Sequence, residues 1–472
     1  MLIKNKITTI VTLTALLFST MLTVVPEGAC ITIQEERELA REFMTVVKAR
    51  YELIDDPLIV DYVNRVGKRI LATVPPQPFT YEFHVIHEDV YNAFATPAGH
   101  IFINSGLLAA LTSEDELAGI LGHEIAHVVC RHISDRIESS KKIGMATLAG
   151  MVAGVLLGAS GAGAAASALT VGSVAAGQTA NLAYSRENEM QADQLGLDYL
   201  TEAGYGGEGL LTSLQKIRSK QWYGSKQIPT YLTTHPASEA RMSYIDNWLH
   251  QHHAASTEKR SDVGDFDMVR TRVIALYTDA PLALDHFKAA VAASPQDPMA
   301  NYGYALTLSR ADRWGEAAEY MQRAIEGNAM ATDMLQDLGK IYFYKGQYDK
   351  ALNALSSGDP VKYPESQLYR GRILLETGHL AEAREAFEAI IQEHKDYTQA
   401  YYYLGESNGR IGDMFGAHFN LGCFYQLKGD RKNADFHLKR ALKLAGSPSQ
   451  QEMAQQRLDE LDPKSDKKTN AG

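Results

Sequence analysis

From residue 283 onward the chain repeats itself. Alanines stand at 283, 317, 351, 383, 417 and 434, at steps of 34, 34, 32, 34 and 17 residues, inside segments such as LALDHFKAAVAASP, GEAAEYMQRAIEGN and AEAREAFEAIIQEH. Twelve residues before most of them comes a small residue, Ala305, Gly339, Gly371, Gly405 or Gly422, and Phe287 and Phe387 follow four residues after theirs. A period of this length leaves few folds open. Each unit is a helical pair too small to bury a core alone, so the units must stack, and small residues at the crossings let paired helices approach. The final step of 17 is half a period, which predicts that the helix around Gly416 to Lys428 serves two successive units.

The pattern is that of tetratricopeptide repeats. It predicts an α-solenoid over residues 266–462, followed by a disordered tail at 463–472. Such arrays hold polypeptides, and the charge agrees: 46 basic against 57 acidic residues give a net charge of -11. No concentrated basic surface is available for phosphate, so nucleic acid is excluded as the general partner. Cys30, Cys130 and Cys423 are too scattered for a disulfide framework or a cysteine-ligated metal. Any metal here must be held by histidine and carboxylate.

The first 29 residues have the order of a secretory signal: Lys4 and Lys6, an uncharged apolar run to Val25, then Gly28 and Ala29. Export follows, with a mature chain from about residue 30. Lipidation at Cys30 is an alternative, although Glu27 stands where an apolar residue is wanted. Residues 30–253 then form a first domain, and the polar, aperiodic segment 254–265 reads as a linker. Within the first domain, helical periodicity runs from about Gln34 to Leu71, FTYEFHVI alternates as a strand does, and GHIFIN reads as a second strand. Residues 143–185 carry no charge at all. Their strongest apolar part is shorter than the roughly 20 residues of a membrane span and is broken by glycines, which favours a buried or lid-like hairpin.

Chemistry enters at GHEIAHVVCRH. His123 and His127 lie one helical turn apart, so both imidazoles project from one face and can share a metal ion, while Glu124 can take a proton from the attacking water. A pair of satisfied core histidines is the bland alternative. A catalytic zinc site needs a third protein ligand. YSRENEMQADQLGLDYL offers Glu189, with Asp193 one turn on to accept a hydrogen bond from a ligand histidine; on spacing alone Glu187 competes with Glu189. Cys130 follows the motif as a bland buried thiol, and His132, five residues after His127, is not counted as a ligand.

The succession HEIAHVVCRH, SRENEMQAD and THPASEAR resembles the gluzincin metallopeptidases that include the CAAX prenyl endopeptidase and heat-shock protease X. With the signal and the repeats, it resembles the periplasmic members of that group. The resemblance implies a mainly α architecture, in which an α+β gluzincin-type domain with a small sheet precedes the α-solenoid. It implies one zinc ion per chain held by His123, His127 and Glu189, with Glu124 as general base and Asp193 behind the ligands. It also singles out His235 and Arg241. His235 could steady the oxyanion, occupy the fourth metal position, or merely cap and pack before Pro236; Arg241 could steady developing charge. By the same resemblance GHIFIN would be the edge strand beside the cleft, pairing with an extended substrate.

The reading is a periplasmic zinc endopeptidase that cleaves unfolded or misassembled proteins, with clients among outer-membrane β-barrel proteins and their assembly machinery, bound through the repeats. Peripheral contact with the outer membrane stays open. The rival readings are a chaperone or scaffold with a latent protease site, and an integral-membrane protease anchored by residues 143–185.

Overall fold

The computed structural model describes residues 31–138, 184–222, 230–252, 263–326, 331–356 and 364–461. The signal segment, most of the uncharged stretch 143–185 and the tail lie outside these. Among the described residues no helix is long and apolar enough to cross a membrane. The chain divides into two units, 1–273 and 274–472.

In the first unit the periodicity of residues 34–71 is realised as two helices, α1 (Ile33–Arg50) and α2 (Pro57–Leu71). The break follows from Pro57, which suits only the first turn of a helix, and from the Asp56 carboxylate, which caps that turn by accepting from the Leu58 amide at 3.1 Å. A three-stranded sheet follows, β1 (Glu82–Ile86), β2 (Ala93–Ala95) and β3 (His100–Asn104), in the order β1-β3-β2. β3 runs parallel to β1 and antiparallel to β2. The GHIFIN strand is therefore central, not an edge, because the short AFA segment folds back over the Pro97–Gly99 turn and takes the outer place. An alternation of five residues marks a half-buried strand but cannot say how many neighbours it has. Leu53 bridges to Ile86 on the far side of β1, so β2 is the edge without a further strand among the described residues.

Next come α3 (Ser105–Ala110), α4 (Glu114–Val129), α5 (His132–Glu138), α6 (Arg186–Glu202), α7 (Glu208–Trp222), α8 (Thr230–Thr234) and α9 (Glu239–His252). α4 is the axis of the unit: α2, α6 and α7 pack around it, β2 lies against it, and every residue from Glu116 to Val128 is buried. Two close crossings set its neighbours. A Cβ on Gly209 would stand 1.9 Å from the Asp115 carbonyl oxygen, and one on Gly196 would stand 3.2 Å from that of Gly122. α10 (Val263–Tyr277) opens inside the segment expected to be a linker. Its first part belongs with this unit, where Arg272 Nε donates to the buried Asp56 carboxylate at 2.5 Å.

The second unit holds helices α11 (Ala280–Ala293), α12 (Pro298–Arg310), α13 (Trp314–Glu326), α14 (Ala331–Tyr344), α15 (Tyr348–Leu355), α16 (Pro364–Glu376), α17 (Leu380–Glu393), α18 (Thr398–Ile411), α19 (Met414–Leu427), α20 (Arg431–Leu444) and α21 (Pro448–Leu461), each packed on its neighbours in sequence. All six repeat alanines are buried, and Gly371 lies under the Phe387 ring as Gly422 lies under Leu438. α19 packs against both α18 and α20, which is the doubled service that the half-period predicts. The left-handed residues that end the first helix of each pair keep the same rhythm: Asp312, Gly346, Gly378, Gly412 and Gly429.

Candidate active site

α4 begins cleanly, with the Ser113 hydroxyl accepting from the Glu116 amide at 3.2 Å and Glu114, Asp115 and Glu116 at the positive end of the helix dipole. Two turns further on, His123, Glu124 and His127 are fully buried. Polar groups so enclosed need partners, since leaving them dry and unpaired is costly.

The partners come from α6 and from the residues after α8. The Nε2 atoms of His123 and His127 stand 3.0 Å apart. Glu189 places Oε1 3.4 Å from His127 Nε2 and Oε2 3.6 Å from His123 Nε2. His235 brings Nδ1 to 3.4 Å from His123 Nε2 and 3.0 Å from Glu189 Oε1. Donors held tetrahedrally at about 2.0–2.1 Å from an ion lie about 3.3 Å from one another. The separations found here, 3.0 to 3.6 Å, bracket that value, and these four residues form a group able to hold a metal.

Charge makes the same demand. Counted formally, the buried Glu124, Glu189 and Asp193 carboxylates carry three negative charges against the one positive charge of buried Arg241. A divalent cation cancels the remainder, as an interior of low dielectric requires. Burial pulls the Glu189 carboxyl up, yet the charge of Arg241 and the neighbouring His235 outweigh it and hold it well below the usual carboxylate range. Asp193 is lowered against the same burial by Arg241 and His123. Burial pushes the His127 imidazole well below its ordinary value, which keeps it neutral and free to ligate.

Behind the donors, Asp193 Oδ1 lies 2.9 Å from His123 Nδ1. Arg241 donates from Nε and Nη2 to Asp193 at 2.6 and 2.8 Å and sets Nη1 against Glu189 Oε2. Its fork is thus committed to the two carboxylates of α6. Glu124 has no hydrogen-bond partner on either oxygen, and His235 Nε2 lies 3.6 Å from its Oε1. Glu187, the rival on spacing, is fully exposed.

Sequence reasoning passed over several neighbours. His132 stays outside the four donors, but its Nδ1 lies 3.0 Å from His127 Nδ1 and its Nε2 3.0 Å from Gln191 Oε1. It reaches there because the chain turns at Arg131 (φ 54°) and starts a new helix, so counting along α4 mislays it. The Tyr231 ring stacks on His235 at 4.6 Å, and the Tyr184 ring packs on His127 at 3.9 Å. The polar, ionisable run inside an apolar helix is the signal that pointed to the site; nothing local marked the two tyrosines. Cys130 caps α4, and burial, aided by Asp135, raises its thiol to about 11, which leaves it protonated and inert.

The sequence profile of peptidase family M48 matches residues 59–249, which span both halves of this constellation. The match to peptidase family M48 takes in every residue of the site. Tetratricopeptide repeat profiles match residues 278–331, 337–397, 368–414 and 415–448. The chain is thus a metalloendopeptidase with a tetratricopeptide array. It is 25% identical over 396 residues to the β-barrel assembly-enhancing protease of Escherichia coli (strain K12), covering 82% of this chain and 79% of that one. The protein of the same name from Yersinia pestis is 28% identical over 66% of this chain and 64% of its own length. The mitochondrial metalloendopeptidase OMA1 of Schizosaccharomyces pombe is 31% identical over 40% of this chain and 52% of its own.

Proposed function

We propose that this M48 peptidase is a zinc endopeptidase of the bacterial periplasm that removes misfolded or stalled proteins during assembly of outer-membrane β-barrels, its tetratricopeptide unit holding the partner polypeptide. The observation that carries the chemistry is the buried four-donor group of His123, His127, Glu189 and His235 with an unpartnered Glu124 beside it. The names of its relatives support the biological setting, and the signal-like N-terminus supports export.

His123, His127 and Glu189 hold the zinc, which when bound polarises the scissile carbonyl and makes a water acidic. Asp193 accepts from His123 Nδ1 and so leaves its Nε2 lone pair for the metal, while Arg241 fixes Glu189 and Asp193 together. Arg241 acts here as a positioning residue. Glu124 takes a proton from the attacking water and returns it to the departing amine.

His235 supplies the fourth donor in the resting protein, which supports a self-restrained enzyme. Moving it aside would clear space beside Glu124 for the attacking water. Glu124→Gln should abolish cleavage of an unfolded substrate while zinc content, measured by atomic emission, stays at the wild-type level; cleavage at the wild-type rate would refute the assignment. His235→Ala should raise cleavage severalfold, whereas a fall would transfer the residue to oxyanion stabilisation. The all-protein donor set also favours a second reading, a chaperone whose protease site is latent. Rescue of outer-membrane protein assembly by Glu124→Gln as fully as by wild type would move the function there.

A further inference from the structure

A second cluster of metal-ligating side chains stands apart from the M48 site, on the sheet. Glu82 and His84 are two residues apart on β1 and so share one face, and the parallel register sets Glu82 opposite His100, the first residue of β3. Their side chains converge. His84 Nε2 lies 3.3 Å from His100 Nδ1, and Glu82 Oε2 lies 3.5 Å from each of these nitrogens. Three donors in a triangle of this size form the base of a tetrahedron whose bonds to a central ion are about 2.0–2.1 Å long. The metal centre on α4 shows the same spacing.

We propose that Glu82, His84 and His100 form a second divalent-metal site, suited to zinc or a cation of similar softness, with its fourth position open to solvent. Two imidazoles and one carboxylate are the donor set of open zinc sites, and neither hard-cation chemistry nor thiolate chemistry fits them. The geometry is held in place by packing: the His84 ring stacks on Phe102 at 4.9 Å and on His100 at 5.5 Å. The ion has a route in, since Glu82 and His100 line a cavity of 420 Å³ whose wall includes Arg37 and Arg41. The cationic neighbours Lys48, Arg37 and Arg41 oppose a dication, which makes this the weaker of the two sites. Once bound, the metal ties β1 to β3 at the turn that leads back to the β2 edge. Full loading then takes two equivalents, not the one that the HEIAH motif alone implies.

The test uses the full chain, stripped with a chelator and dialysed against graded zinc, with bound metal per chain read by atomic emission. Wild type should take up two equivalents in two steps. His84→Gln should lose the weaker step alone. Glu82→Gln, which alters a half-exposed carboxylate and leaves the ring stack intact, should weaken that step about tenfold or more. His123→Ala should lose the tighter step alone, so failure of the M48-site assignment shows up separately. Identical two-step uptake by wild type and Glu82→Gln, or a single step in wild type, would overturn the proposal.

Discussion

In the proposed site His127 serves two neighbours at once, the metal through Nε2 and His132 through Nδ1, which lies 3.0 Å from His132 Nδ1. Because Nε2 must keep its lone pair to ligate, Nδ1 carries the proton and donates to His132 Nδ1, and His132 Nε2 in turn donates to Gln191 Oε1. The two ligand histidines of α4 are thus braced differently, His123 by an anion and His127 by a neutral ring. Losing the neutral brace leaves the ring free to turn. His132→Ala should weaken zinc binding about tenfold, measured by chelator competition, with the circular dichroism spectrum unchanged. Unaltered affinity would show that the relay does not support the site. His123 and His127 were legible in the sequence because spacing of four on a helix is itself a geometric statement, whereas Glu189 and Asp193 were singled out over Glu187 only by the family resemblance. His132 was not legible, because a single left-handed residue at Arg131 changes where it points.

Among the elements, the repeat helices are closed by left-handed turns in which glycine pays no steric penalty, except at Asp312 (φ 56°), where the same turn is made by a residue with a Cβ. Asp312→Gly should therefore stabilise the chain by about 0.5–1 kcal/mol, seen as a higher urea midpoint at unchanged slope. A lower midpoint would mean that the aspartate makes up for its strain. The repeats were the most readable part of the chain, since buried alanines and crossing glycines recur at positions that only stacked helical pairs explain. The sheet was the least readable. Neither the central place of β3 nor the meeting of His84 with His100 follows from local alternation, because strand order and register are decided by segments that lie far apart along the chain.

At the scale of the whole molecule, two units with different sources of stability share one chain. The tetratricopeptide unit rests on apolar contacts between successive helices, whereas the M48 unit gathers at one site the buried carboxylates Glu124, Glu189 and Asp193, the Arg241 guanidinium and the three histidines His123, His127 and His235. Removing the metal leaves that interior with uncompensated negative charge. Calorimetry in the presence of a chelator should therefore show the transition of the first unit moving down, by the equivalent of about 4 kcal/mol if zinc had been present at a thousandfold its dissociation constant, with the second unit unmoved. Equal displacement of both transitions would contradict this. The crossing of α4 and α6 has a further meaning. A methyl group added at Gly196 would meet the Gly122 carbonyl oxygen at 3.2 Å and the His123 amide nitrogen at 3.3 Å, so the helices would have to part by a few tenths of an ångström. Metal coordination tolerates about 0.2 Å. The bore of the catalytic centre is thus machined by two residues that have no side chains, and its calibration passes to descendants of this sequence only while both stay bare.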